Sequence, residues 1–333
     1  MILGIAGQNG RLLTELLLNK NYRVVGFGWE NAIEQSASLR PFRDRIEVCY
    51  GDLREPESVA AAIGEHAVSE IYNFAAQSQP GLSWQASVET GEVNALGAHR
   101  LFETVRRLRP QARIFQASSS EMFGAAAGTP QRETTPFHPA NPYAVAKTYA
   151  HQTAAIYRAN HGSFIACGIL FNHESRHRDM AFVSQKITYG AVCAKLGVRN
   201  SALRNEYGEP IVKDAKLVLG NLDAMRDWGY AGDYVQAMWL MLQQPQAEDF
   251  VIGTGISRSV RDMCEAAYSI VGLDWREHVA ADPRLLRPAE TAPAVADASK
   301  AKKLLGWQPT TKFKDMLADM VAGHMERLKQ SKL

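Results

Sequence analysis

The chain has 333 residues, 46% apolar and 22% charged, which is the composition of an ordinary soluble protein with room for one large domain or two small ones. Its 37 basic and 35 acidic residues leave a formal net charge of +2, so nothing points to nucleic acid or an acidic membrane as a partner. No apolar run is long enough to span a bilayer, and no secretory signal fits before the glycine at position 4. The four cysteines, Cys49, Cys167, Cys193 and Cys264, form no CxxC pair and read as reduced thiols of a cytoplasmic protein.

In chain order, short apolar runs predict buried strands at "ILGIA", "YRVVGFG", "IEVCY", "EIYNFAA", "ARIFQAS" and "FIACGILF". Helical patterns lie between them, as in "RLLTELLLNK", "ESVAAAIGEH" and "NALGAHRLFETVRRL". Regular alternation implies crossover units and a parallel sheet covered on both faces. Beyond residue 172 the rhythm loosens into helices ("AFVSQKITYGAVCAKLG", "DYVQAMWLMLQQ"), short strands ("KLVLG", "DFVIG") and an amphipathic tail helix. The polar stretch from Arg199 to Ala215 reads as an exposed loop or small hairpin. The expected organisation is α/β: a doubly wound dinucleotide-binding sheet over 1–172, with some later segments returning to it, and a smaller mixed substrate domain mainly from 173–333.

"GIAGQNG" sets Gly4, Gly7 and Gly10, with Gln8 and Asn9 among them, between the first strand and its helix. Glycine allows the tight turn and the close approach of backbone amides to a pyrophosphate at the helix N-terminus, the Rossmann-type arrangement. Only three residues precede Gly4, so the first strand must be very short. "GDL" (Asp52, Leu53) follows the third strand and "AAQS" (Ala75, Ala76, Ser78) the fourth; both suit the path of the cofactor.

"NPYAVAK" sets Tyr143 and Lys147 four apart, on one face of a helix. An ammonium beside a phenol lowers its pKa and lets it act as a base. Ser119, at a strand end, can bond the same substrate oxygen. In "QASSSEMFG", Glu121 stands two residues beyond Ser119; in an extended strand end the two side chains share a face. "HESRH" spells HExxH, but it follows a predicted strand directly, where a zinc motif needs a helix, so no metal is expected.

These stretches, with "YNFAAQS", "GILFNHES", "LGNLDAMRDWGYAGDYVQAMWLMLQ", "RPAE" and "KAKKLLGWQP", resemble the extended short-chain dehydrogenase/reductases, and among them the GDP-mannose 4,6-dehydratases, almost end to end. The resemblance implies a tightly bound NAD(P), a GDP-sugar substrate and a 4-keto-6-deoxy-sugar product. It makes Tyr143, Lys147, Ser119 and Glu121 catalytic, with Glu121 removing the C5 proton. It carries Asn172, Val183 and Lys186 to the substrate, Asn221, Arg226, Arg287 and Glu290 to its nucleotide end, and His173 and Arg178 to the cofactor. It also implies a homodimer or homotetramer.

Three departures stand out. The family pattern has adjacent arginines after the second strand where this chain reads Glu30 and Asn31; a carboxylate there favours NAD over NADP, the family default. "SPRR" becomes "SRHR", and the Arg199–Ala215 segment is longer than usual. The sugar can be mannose or a larger relative such as a heptose. Rival readings are a ketoreductase or epimerase on the same fold, discriminated by product release without added reductant, and a non-catalytic dinucleotide sensor.

Overall fold

The structure is a computed structural model that describes residues 1–124, 128–205, 208–286 and 294–330. Among the described residues thirteen strands form three sheets: β1 (Ile2–Leu3), β2 (Val24–Gly28), β3 (Ile46–Tyr50), β4 (Glu70–Asn73), β5 (Arg113–Ser119), β6 (Ile165–Leu170), β7 (Asn172–Glu174), β8 (Val212–Lys213), β9 (Lys216–Leu219), β10 (Met225–Tyr230), β11 (Asp249–Ile252), β12 (Ser257–Ser259) and β13 (Val279–Ala281). The largest has the order β11-β6-β5-β4-β1-β2-β3, and every pairing in it is parallel. β1 has two residues, as the position of Gly4 requires.

The helices are α1 (Gln8–Asn19), α2 (Glu30–Glu34), α3 (Pro56–Glu65), α4 (Ser87–Gly91), α5 (Ala98–Leu108), α6 (Pro142–His161), α7 (Val183–Lys195), α8 (Ala231–Leu242), α9 (Val260–Ile270), α10 (Ser299–Leu305) and α11 (Phe313–Gln330). Leu13 and Leu17 of α1, Met238 and Met241 of α8 and Leu305 of α10 pack on one face of the sheet. Val59 and Ile63 of α3, Leu101 and Phe102 of α5 and Ala150 and Ala154 of α6 cover the other. A sheet buried on both faces explains why its strands read as unbroken apolar runs.

α4 and α5 are one helix from 87 to 108, joined by a π-helical stretch over Glu92–Gly97. The apolar pattern beginning at Asn94 revealed only its second half, because Ser87–Gly91 leaves Val88 facing outward. β7, β10 and β12 form a second sheet, and β13, β9 and β8 a third. The third sheet packs with α7, α9 and α11 around Ile187, Leu217, Met263 and Leu317, a separate apolar core. β11 and α8, late in the chain, belong to the large sheet and its cover.

Candidate active site

The switch in strand order lies between β1 and β4, and in parallel α/β sheets ligands sit beyond the strand ends at such a point. The glycine loop lies there. Gly4 has φ +77°, and a Cβ on it would stand 2.9 Å from the Ala75 nitrogen. A Cβ on Gly10 would stand 2.5 Å from both Cα and O of Ile5, so only glycine lets α1 start this close to β1. Gly7 is the N-cap of α1 and supplies no side chain to its amides. These features fit a pyrophosphate on the N-terminus of a twelve-residue helix.

The loop is tied to the second lobe. Gln8 Nε2 donates to the His173 carbonyl (2.9 Å), and Ser175 Oγ donates to Gln8 Oε1 (2.8 Å). His173 Nδ1 bonds the Phe171 carbonyl (2.8 Å), which makes Nε2 the acceptor for Asn9 Nδ2 (2.9 Å). The ring stacks on Tyr234 at 4.9 Å, and burial drives its pKa down to about 3. His173 and Glu174 lie on β7, not on a helix, so "HESRH" does not set two histidines on one helical face.

Beyond the strand ends opens a cleft of about 860 Å³. It brings together Asn9, Ala76, Ser78, Ser119, Glu121, Tyr143, Lys147, Asn172, His173, Arg178, Val183, Lys186, Asn221 and Arg226. Gly4, Gly7, Gln8, Gly10, Glu30, Asp52, Leu53 and Ala75 lie outside its lining, just past the ends of the first four strands. Leu53 points into the core beneath the sheet. Arg287 and Glu290 lie outside the described residues.

The catalytic candidates hang on β5 and α6. Asn141 caps α6 by accepting from the Ala144 amide (2.8 Å), and Pro142 holds the first helical position. Asn141 Nδ2 then donates to Glu121 Oε2 (3.1 Å), so one asparagine fixes both the helix start and the carboxylate. The extended strand stops at Ser119, which corrects the expected shared strand face. Glu121 lies in a single 3₁₀ turn, Ser120–Phe123, and Ser119 Oγ accepts from the Glu121 amide (3.2 Å). The turn, not strand alternation, keeps the hydroxyl and the carboxylate adjacent.

Lys147 Nζ donates to the Ala117 carbonyl (2.9 Å) and stands 5.7 Å from the centre of the Tyr143 ring. Burial lowers the Lys147 pKa to about 8. Burial also raises the Tyr143 phenol to about 12; the Ser119 hydrogen bond and Arg178 act to lower it, while Glu121 adds to the rise. The phenol expected to be lowered by Lys147 is instead raised: desolvation dominates, and what lowering there is comes from Ser119 and Arg178. Arg178 lies over the Phe182 ring and 3.4 Å from Glu174, whose carboxyl is raised by burial against the pull of Arg178 and Ser184.

Sequence reasoning missed Asn94. Its side chain clamps the Gln77 backbone, accepting from the nitrogen (2.9 Å) and donating to the oxygen (2.8 Å), and so shapes the loop carrying Ala76 and Ser78. Asn94 lies in the π-helical stretch, and no local pattern announces its distant partner. At the far end, Asp52 accepts from Trp29 Nε1 (2.9 Å) and from Arg54 NH2 (2.6 Å), joining the ends of β2 and β3.

A family model for GDP-mannose 4,6-dehydratase matches residues 1–320. The chain belongs to the GDP-mannose 4,6-dehydratase family. Among relatives, GDP-mannose 4,6 dehydratase 1 of Arabidopsis thaliana is 39% identical over 345 residues, spanning all of this chain and 91% of its own. Among solved structures, a dTDP-glucose 4,6-dehydratase of Streptomyces venezuelae with NAD and TYD bound superposes with TM-score 0.83 at 22% identity, covering 99% of this chain and 97% of its own. A Pseudomonas aeruginosa protein solved with NADPH gives TM-score 0.78 at 19% identity, with 98% of each chain covered. As a member of the GDP-mannose 4,6-dehydratase family the chain is a GDP-sugar 4,6-dehydratase, a hydro-lyase that works with a nicotinamide cofactor. Among the described residues no helix is long and apolar enough to cross a membrane.

Proposed function

We propose that the protein converts GDP-mannose, or a GDP-sugar with the same C4 and C6 hydroxyls such as a heptose, to the 4-keto-6-deoxy sugar with loss of water. The observation that carries this is the meeting of Ser119, Glu121, Tyr143 and Lys147 on one cleft wall, with Glu121 held by Asn141. When bound, the nicotinamide supplies a reversible hydride acceptor, filled from C4 and emptied to C6. Tyr143, aided by Ser119, takes the proton of the C4 hydroxyl. The C4 ketone then acidifies the C5 hydrogen, and Glu121 removes it. The same carboxyl returns that proton to the departing C6 hydroxyl, which leaves as water. The proton from the C4 hydroxyl completes the balance at C5. Lys147, held by the Ala117 carbonyl, stabilises the phenolate. Asn172, Val183 and Lys186 flank the sugar, and Asn221, Arg226, Arg287 and Glu290 serve the nucleotide end.

The proposed cofactor is NAD. Glu30 opens α2 just past β2, where a carboxylate accepts a hydrogen bond from a ribose hydroxyl and repels a 2′-phosphate. Two nearby guanidinium groups already have carboxylate partners: Arg43 pairs with Glu34, and Arg54 with Asp52. The four unpaired cysteines support a reducing, cytoplasmic setting. The proposed assembly is at least a homodimer.

One experiment tests the reading. Purified protein, given GDP-mannose or a GDP-heptose and no added reductant, should release a product lighter by one water. Unchanged sugars, or turnover that requires added reduced cofactor, would overturn the dehydratase assignment. Denaturing the same preparation should release NAD; stoichiometric NADP would show that Glu30 does not govern the choice.

A further inference from the structure

Residues 199–205 and 208–215 pair as the two arms of a hairpin, and Leu203, Arg204 and Asn205 line the cleft. The Ser201 amide bonds the Val212 carbonyl (2.9 Å), the Ile211 amide the Leu203 carbonyl (2.9 Å), and the Asn205 amide the Glu209 carbonyl (2.8 Å). Its return strand, β8, pairs with β9 at Val212 and Leu217, and β9 runs straight into Leu219, Gly220 and Asn221 of the cleft wall. The hairpin also grips the facing loop, where Arg284 NH2 donates to Glu209 Oε2 (3.0 Å). That loop is pressed against Gly220, on which a Cβ would stand 2.4 Å from the Leu285 carbonyl oxygen.

We infer that this hairpin reads the purine of the substrate nucleotide, with Arg204 as the base-recognising residue; the inference rests on the GDP-sugar reading above. Leu203 and Leu286, one on each loop, both line the cleft and are 38% and 52% exposed. Aliphatic side chains left open on facing walls of a cleft gain by covering a flat, weakly polar ring. Arg204 stands between Leu203 and Asn205, lines the same cleft, and donates through NH1 to the Gly208 carbonyl (2.6 Å). That bond engages NH1, and among the described residues the Nε–NH2 edge remains a two-donor fork. Guanine O6 and N7 are the matching pair of acceptors. Adenine presents an amino group in place of O6, and a pyrimidine offers no such pair.

The test is calorimetric titration of the holoprotein with GDP, IDP, ADP and UDP. Wild type should bind GDP and IDP alike, since both keep O6 and N7, and at least about tenfold more tightly than ADP or UDP. Arg204→Ala should weaken GDP and IDP about tenfold and leave UDP unchanged, and Arg204→Gln should shift preference toward ADP. Arg204 is exposed, so an unchanged melting temperature will show that these variants fold. Equal losses for GDP and UDP would place the guanidinium on the diphosphate and overturn the inference. A guanine preference that survives Arg204→Ala overturns it alone. Wild-type protein with no preference for GDP over UDP overturns both it and the substrate reading.

Discussion

In the proposed mechanism Glu121 supplies what a dehydratase needs beyond simple hydride transfer, a base for the C5 proton. Glu121→Gln keeps the bond to Asn141 with the side-chain oxygen as acceptor, so the fold and the bound cofactor should survive. Water loss should fall by about 10²-fold or more, the scale of a missing general base. In heavy water, wild type should incorporate deuterium at C5 and the variant far less; equal incorporation would remove Glu121 from the mechanism. His173 makes a different prediction. Its folded pKa, about 3, lies below the 6.5 of an unfolded histidine, so the folded state excludes a proton that the unfolded chain takes up. The stability it lends is therefore complete above pH 6.5 and drains away as pH falls toward 3, on the order of 5 kcal/mol in all. Denaturation midpoints for His173→Gln should fall less steeply than wild type between pH 6.5 and 4. Parallel curves would assign the acid loss to other groups.

The glycine loop and α1 act as one element, and their closeness is set by the missing side chains. Gly10→Ala forces a Cβ onto the Ile5 backbone, which cannot rotate away, so stability should fall by about 1–3 kcal/mol and bound cofactor should be lost. Gly64, exposed in α3, meets nothing within 4 Å, so Gly64→Ala should be neutral or stabilising by up to about 1 kcal/mol. Similar melting temperatures and cofactor content in both variants would show that contact at Gly10 is not what matters. α6 shows how one element serves two ends. Tyr143, Lys147 and His151, at intervals of four, face the sheet, where His151 Nδ1 bonds Ser118 Oγ (3.0 Å). Val145, Tyr149 and Ile156 face outward and are exposed.

For the whole molecule, that outer face is not isolated. Val145 and Tyr149 of α6 line a shallow apolar groove with Trp84, Val88 and Leu96 from the 87–108 helix and the turn before it. Val88 is 80% exposed, and with its neighbours in the groove it makes a contiguous apolar patch of the kind that marks an interaction surface. Two copies meeting across this face would bury it symmetrically. Light scattering at micromolar concentration should give at least a dimer, and Val88→Glu with Val145→Glu should shift it toward monomer. A wild-type monomer would contradict the proposed assembly.

The alternation of strands and helices, the glycine spacing and the Tyr143–Lys147 interval were legible because each depends on chain-local geometry: sheet burial, turn conformation and helical periodicity. The resemblance motifs added the chemistry of Glu121, which no periodicity encodes. What only the tertiary structure decided was who holds these residues. Asn141 reaches Glu121 from twenty residues away, Asn94 reaches Gln77 across a loop, and His173 meets Asn9 across 164 residues. It also decided the sign of the Tyr143 shift. Desolvation depends on how much protein surrounds the phenol, and a four-residue interval carries no record of that.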